Sequence, residues 1–379
     1  MTQVRIEVND TGPVVVQLVG EFDLSTCEEM ARCFDSFASG DVVVIDMAEV
    51  TFVDSIAIGV LARAAARGVR LRPRTMSRVV SRALELAGLL AIFDTAERDD
   101  SVAASAEPWD EERTRRWVRQ AEGIDRQLQP VSDALFAAAQ LRPGEHVLDI
   151  GCGTGPTTRH AATLVGPTGQ VTGVDISSEM LAAANTTPAA PSGARIEWLL
   201  ADPVAWETPP SLHDVVLSRF GVMFFSEPRT AFTNLAGVVS RGGRLAMATW
   251  ARRGESEVFQ VPYGAALAAL GQSDELPDDE GPFSLHDRDV ITHLLESAGW
   301  RDVAPVLHDF RLPFAGGVDA AAAAEASLDL GPTRIVTKDL DETGRARVLE
   351  AITDALRPYE IDGAVVLHGA VYVTTATRG

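Results

Sequence analysis

Four residues in the run HVLDIGCGTGPTTRHAATL (146–164) have the types and spacing to hold a nucleotide-like ligand: Asp149 and the alternate glycines Gly151, Gly153 and Gly155. An apolar stretch ends at Asp149-Ile150, the glycines follow at once, and a helical pattern begins behind them. Glycines let a ligand approach the backbone closely, and the start of a helix presents free amides at that point. Twenty residues beyond Gly155, the run QVTGVDIS ends its apolar part at Asp175. A carboxylate at the end of a second strand is placed to accept hydrogen bonds from ribose hydroxyls. The dinucleotide fingerprint spaces its glycines G-x-G-x-x-G. Here they fall G-x-G-x-G, with an acid two positions before the first.

Strands alternating with helices have to carry these residues. The pattern splits the chain into a small α/β domain over 1–97, a linker over 98–108 rich in Ala, Ser, Asp and Glu, and a longer βα alternation over 109–379. In the first part VRIEVND and VVVQLVGEF read as strands joined by a turn at Thr11-Gly12-Pro13. STCEEMARCFDSF reads as a helix opened by the capping-box pair Ser25 and Glu28. DVVVIDMAEV reads as a buried strand, SIAIGVLARAAARG as a helix, VRLRP as a strand and SRVVSRALELAGLLAIF as a last amphipathic helix. The alanine run DAAAAAEASLDL (319–330) is a good helix former and is expected to be structured.

The intact string VLDIGCGTG at 147–155 resembles the signature of the class I S-adenosylmethionine-dependent methyltransferases. EWLLADPVAW resembles their third strand, HDVVLSRFGVMFF the fourth, and LAGVVSRGGRLAMATW a helix, a Gly-Gly turn and the fifth strand. GPFSLHDRDVITHLLESAGW and VVLHGAVYVTTATR resemble a helix and late strands of the small-molecule members. The resemblance implies a Rossmann-like, mainly parallel sheet with an antiparallel late strand, S-adenosylmethionine as cofactor and a small-molecule methyl acceptor. It assigns the cofactor site to Asp149, Gly151, Cys152, Gly153, Thr154, Gly155, Asp175, Ile176, Met180, Asp202 and Ser218. Arg219, Phe220, Met223 and Trp117 become the acceptor-pocket residues, and Trp109 joins Trp117 in a segment that closes over the cofactor. His286, His293, His308 and His368 are available as bases, and nothing singles one out.

GEFDLST (20–26), VVVIDMAEVTFVDS (42–55) and SRVVSRALELAGLLAIFD (77–94) resemble the STAS domains of anti-sigma-factor antagonists. That resemblance implies a docking or regulatory module and carries phosphorylation onto Ser55, although Ile56 and Ala57 stand where those proteins carry a small hydroxyl and a glycine. Ser55 can equally be a helix N-cap. A protein partner, or a second copy of the chain, is the expected occupant of such a module.

Composition narrows the alternatives. With 33 Lys+Arg against 54 Asp+Glu, most of the surface repels a phosphate backbone, and the run RGVRLRPRTMSRVVSR (67–82) is expected to be a solvated face. Base-amino methylases carry [DN]-P-P-[YFW] after the fourth strand, where this chain has Ser218-Arg219-Phe220-Gly221. A nucleic-acid substrate is therefore not expected. Nor is a membrane span, since no apolar run reaches the ~20 residues one requires. The start MTQVRIEVND lacks a signal-peptide pattern, so the cytoplasm is the expected location. Cys27, Cys33 and Cys152 are too few and too unevenly placed for a disulfide frame or a metal site. One alternative of another class stands beside the enzyme: a regulatory scaffold that binds the cofactor without turnover.

Overall fold

Strands that read as continuous apolar runs must be covered on both faces, whereas alternating ones leave a face to water. In a computed structural model of the chain the strands around the glycine motif are buried along nearly their whole length. The structure describes residues 3–7, 14–23, 26–38, 40–77, 80, 83–84, 111–187, 190, 192–206, 212–329 and 331–379. The chain divides into two units, Met1–Ala104 and Ser105–Gly379.

The first unit holds strands β1 (Gln3–Glu7), β2 (Val14–Phe22), β3 (Val42–Val53) and β4 (Arg70–Met76) in that spatial order. β1 runs antiparallel to β2, and β2, β3 and β4 are parallel. Helix α1 (Glu28–Asp35) buries Met30, Cys33 and Phe34, one stripe at helical spacing. Together with helix α2 (Ser55–Ala66) it covers a core that includes Leu18, Phe22, Ile45, Leu61 and Leu71. Two expectations fail here. The helix opens at Glu28 with Cys27 as its N-cap, two residues beyond the expected cap Ser25, which lies outside the described residues. A local turn precedes it, in which Thr26 N donates to Asp23 Oδ1 and Asp23 N donates to Thr26 Oγ1. Nor is Ser55 the N-cap of α2. Asp54 is, with Oδ1 accepting from Ile56 N at 2.8 Å and Ala57 N at 2.9 Å, and Ser55 is the first helical residue. The turn at 11–13, the linker, Trp109 and most of the helix expected over 77–93 lie outside the described residues.

The second unit opens with α3 (Glu111–Gln127) and α4 (Gln129–Ala139), separated where Pro130 permits a helix start but no continuation. Then follow β5 (His146–Ile150), α5 (Pro156–Val165), β6 (Gln170–Asp175), α6 (Ser178–Thr186), β7 (Arg195–Leu200), β8 (His213–Arg219), α7 (Pro228–Gly237) and β9 (Val239–Trp250). The later helices are α8 (Glu257–Leu270), α9 (Arg288–Ser297), α10 (Ala320–Ser327), α11 (Gly331–Thr337) and α12 (Glu342–Leu356), with β10 (Trp300–Pro313), β11 (Glu360–Ile361) and β12 (Ala364–Arg378). The sheet order is β10-β12-β9-β8-β5-β6-β7, with β11 paired to β12. β12 is antiparallel to both neighbours, and the remaining strands of that path run one way.

The Gly-Gly pair expected as a turn lies inside β9. His213 pairs with Val239 and Val215 with Arg244, so residues 240–243 bulge out of the ladder, with Gly242 at φ +76. Arg244, next after the bulge, donates to the last carbonyls of α4, Ala139 O at 2.7 Å and Gln140 O at 2.8 Å, and pairs with Glu145 at 2.8 Å. That guanidinium closes the end of α4 beside the strand that carries the glycine motif.

Candidate active site

Strand order reverses between β5 and β8, since β6 and β7 extend one way and β9 and β12 the other. In open α/β sheets such a reversal leaves a crevice at the carboxyl ends of the strands. A cavity of about 880 Å³ occupies that position. It is bordered by the ends of five strands: Ile150 of β5, Asp175 of β6, Ala201 just after β7, Arg219 of β8 and Trp250 of β9. Helix α3 contributes Trp117, Gln120 and Gln127, and α8, α10 and α11 add further lining residues.

The glycines meet different demands. Gly151 has φ +65, and a Cβ there would lie 2.6 Å from Cα of Gly221, just past β8. The two chains cross at the reversal in a contact that admits no side chain on either. Gly155, at φ +83, has the Trp198 ring where its Cβ would stand, so it serves packing rather than the cavity wall. Gly153 has φ +54, and a Cβ on it would meet nothing within 4 Å. Its amide donates to Asp175 Oδ2 at 2.8 Å, while Ser177 N donates to Oδ1 at 3.0 Å. Asp175 thus fixes the loop and keeps lone pairs for a further donor. Burial is the largest influence on it and moves its carboxyl above the usual range.

Asp149, Gly155 and Ser218 do not line the cavity. Asp149 is fully buried, and its Oδ2 accepts from Thr157 Oγ1 at 2.7 Å and Thr158 Oγ1 at 2.6 Å. Its Oδ1 is buried without a hydrogen-bond partner among the described residues. The carboxylate therefore pins the first turn of α5 behind the glycine loop. Ser218 donates from Oγ to Ile150 O at 2.8 Å and accepts from Gly221 N at 3.3 Å, tying the ends of β5 and β8 together. Cys152, Thr154, Ile176, Met180 and Asp202 do line it. Burial raises the Cys152 thiol, which argues for a packed rather than a reactive sulfur. Ile176 leaves 54 % of its surface exposed after β6, an apolar face open to the cavity. Asp202 accepts from Val204 N at 2.9 Å through Oδ1.

The fully buried Asp149 titrates in an unusual range. Burial pushes it up to about 6 from 3.8, against the opposing pull of the two threonine hydroxyls. A carboxyl raised in the folded state stabilises the fold while protonated, and that contribution is lost as pH rises through the folded value. Between about pH 4 and about pH 6 the wild-type unit is expected to lose roughly 2 kcal/mol relative to Asp149→Asn. Urea denaturation across that range checks it. A difference between the two proteins that does not change with pH would rule out a titrating carboxyl at this position.

Arg219, Phe220, Met223 and Trp117 all line the cavity. Arg219 pairs with Asp125 of α3 at 2.8 Å and donates to Ser132 Oγ of α4 at 2.6 Å. It is thereby a strut between the end of β8 and the two helices. Met223 is buried and holds Ser284 Oγ on its carbonyl at 2.6 Å. Phe220 has φ +61, a left-handed backbone that a bulky residue adopts only under constraint. Its ring stacks on Trp250, centroids 4.4 Å apart and planes at 12°. None of His286, His293, His308 and His368 lines the cavity. His286 meets Phe283 O at 2.8 Å, and His368 meets Asp309 at 2.9 Å on the paired strands β10 and β12.

Sequence reasoning missed Thr157, Thr158, Asp125, Trp250 and Phe259. The two threonines could have been found as hydroxyls in the helix turn facing the strand-end acid. Trp250 closes the fifth strand at the level where ligands sit. Asp125 and Phe259 carried no local signal.

A family model described as a methyltransferase domain matches residues 147–243, and one described as a Mlab, STAS domain matches residues 7–93. Two ubiquinone/menaquinone biosynthesis C-methyltransferases UbiE resemble the chain. The one from Ectopseudomonas mendocina is 34% identical over 41% of this chain and 59% of its own length. The one from Burkholderia mallei is 33% identical over 43% of this chain and 70% of its own length. The aklanonic acid methyltransferase DauC of Streptomyces is 28% identical over 41% of this chain and 71% of its own. The residues present also suit the family's cofactor: Gly153 leaves a cradle that a Cβ would fill, Asp175 offers spare acceptor capacity, and Ile176 offers an apolar face. From the glycine crossing, the strand order and these relatives together, the chain belongs to the S-adenosylmethionine-dependent methyltransferases and carries a STAS domain at its N-terminal end.

Proposed function

We propose that the chain transfers a methyl group from S-adenosylmethionine to a small molecule bound in the same cavity. The observation that carries this reading is that one cavity joins the glycine loop and Asp175 on one side to an apolar recess under α8 on the other. When bound, S-adenosylmethionine supplies a methyl carbon on a positively charged sulfur. Asp149, Gly151, Gly153, Asp175, Ile176, Met180, Asp202 and Ser218 form or brace the cofactor half. Asp175 orients hydroxyls, Gly153 admits them, and Ser218 keeps β5 and β8 in register. Arg219, Phe220, Met223 and Trp117 border the acceptor half, where fixing the acceptor in line with the methyl is the main contribution a protein makes to such a transfer. The names of the relatives, which concern ubiquinone, menaquinone and aklanonic acid, support a small acceptor. Incubating the protein with S-adenosylmethionine and a small-molecule extract, then measuring S-adenosylhomocysteine, tests the reading. Tight cofactor binding without any product would favour a cofactor-sensing scaffold instead.

The finer proposal concerns the first unit. Phe52 and Ile56, 46 % and 38 % exposed, flank Asp54 and Ser55 at the junction of β3 and α2, and we assign that junction to docking of a protein partner or a second copy. Ser55 is the proposed point of control by phosphorylation, which would add negative charge to an already acidic chain. The two units are proposed to fold separately around the linker at 98–108. A fragment beginning at residue 106 is expected to keep the cofactor affinity of the whole chain within about twofold. Calorimetry on both decides it, and a fragment that folds but fails to bind would make the first unit part of the enzyme.

A further inference from the structure

The cavity's acceptor half is built from rings in a fixed order. Phe220 lies beside Gly221, at the backbone crossing with the cofactor loop, and its ring stacks face to face on Trp250. Phe259 of α8 meets Trp250 edge-on, with centroids 4.9 Å apart and planes at 83°. Phe283 meets Phe259 the same way at 5.0 Å and 88°. Phe220, Trp250 and Phe259 border the cavity, and the buried Phe283 backs Phe259. The first ring sits on a left-handed backbone that nothing local favours, and such strain persists where the surroundings hold it in place. Aromatic rings in a pocket wall interact through their quadrupoles with a flat π system, whereas a saturated ligand of equal area gains only its burial.

The polar lining narrows the acceptor further. Among the described residues the cavity presents no histidine, lysine or tyrosine. Of its carboxylates, Asp175 and Asp202 lie in the cofactor half, Glu122 pairs with Arg126, Glu325 pairs with Arg345, and Asp329 accepts from Gln120. An acceptor that needs a strong base to strip its proton is poorly served here, and one that ionises readily by itself is well served.

We propose that the acceptor is a planar aromatic molecule bearing an acidic hydroxyl, held against the Phe220, Trp250 and Phe259 wall. This rests on the transferase reading. The hydroxyl proton leaves to water, and the oxygen forms its bond to the methyl carbon as the carbon–sulfur bond breaks. Both electrons of the broken bond stay on sulfur, giving a neutral thioether.

The test uses the full chain saturated with S-adenosylhomocysteine and titrated with naphthol or with its saturated counterpart, decahydronaphthol. Naphthol is expected to bind at least about tenfold more tightly. Phe259→Leu keeps apolar volume but removes a ring, and is expected to cut naphthol affinity about fivefold or more while S-adenosylhomocysteine binds as before. Equal affinity for the two probes, binding of neither, or indifference of naphthol to a folded Phe259→Leu variant overturns the proposal. The comparison of probes on the wild-type protein stands even if that variant does not fold. Failure to bind S-adenosylhomocysteine would instead overturn the transferase reading itself.

Discussion

Asp175→Ala is expected to weaken S-adenosylmethionine binding by between about tenfold and about a hundredfold, the range of roughly 1.5–3 kcal/mol that a hydrogen bond to a charged group contributes. The structure adds a second reason for the loss. Both carboxylate oxygens already receive backbone amides, Gly153 N on Oδ2 and Ser177 N on Oδ1, so the side chain shapes the loop it shares with the ligand. Asp175→Asn can satisfy only one of those amides, because its NH₂ would face the other donor. The amide variant should therefore lie closer to alanine than to wild type, which a purely ligand-directed role would not require. Titration calorimetry with S-adenosylmethionine separates the three proteins. Wild-type affinity in Asp175→Ala would remove the residue from the site.

Gly151→Ala is expected to destabilise the second unit by roughly 2–5 kcal/mol, in the class of overpacked substitutions with a backbone penalty added. The new methyl would stand 2.6 Å from Cα of Gly221, and since both partners are main chain no rotamer change relieves it. Gly153→Ala provides the contrast. It carries a similar left-handed φ of +54, but its Cβ meets nothing within 4 Å, so its stability cost should stay near the ~1–2 kcal/mol of left-handed backbone alone. Its affinity for the cofactor should nevertheless fall, because the methyl enters the space the loop leaves open. Denaturant midpoints and cofactor titrations on both variants check the pair. Equal stability losses would mean that the crossing at Gly151 is not sterically closed.

The two left-handed glycines also mark how far local sequence reaches. The string from Val147 to Gly155 determines a strand, a tight turn and a helix start by itself, because each step depends on dihedral preferences and on hydrogen bonds a few residues apart. The alternation of strands and helices and the carboxylate at Asp175 were legible for the same reason, and so was the membership of the chain in its family. Local pattern placed the cap of the first helix at Ser25, whereas Cys27 is its N-cap and Asp23 and Thr26 close a turn just before it. It misread the Gly242-Gly243 turn as well, since only the neighbouring strand β8 makes a bulge of it. The acceptor half was decided by tertiary structure. Phe220, Trp250, Phe259 and Phe283 come from four separate segments, and their spacing in sequence says nothing of stacking. Likewise Arg219 finds Asp125 and Ser132 only after α3 and α4 fold back against the end of β8. A cofactor bound by one loop leaves a motif in the chain, whereas a pocket wall assembled from distant elements is fixed only by the packing that brings them together.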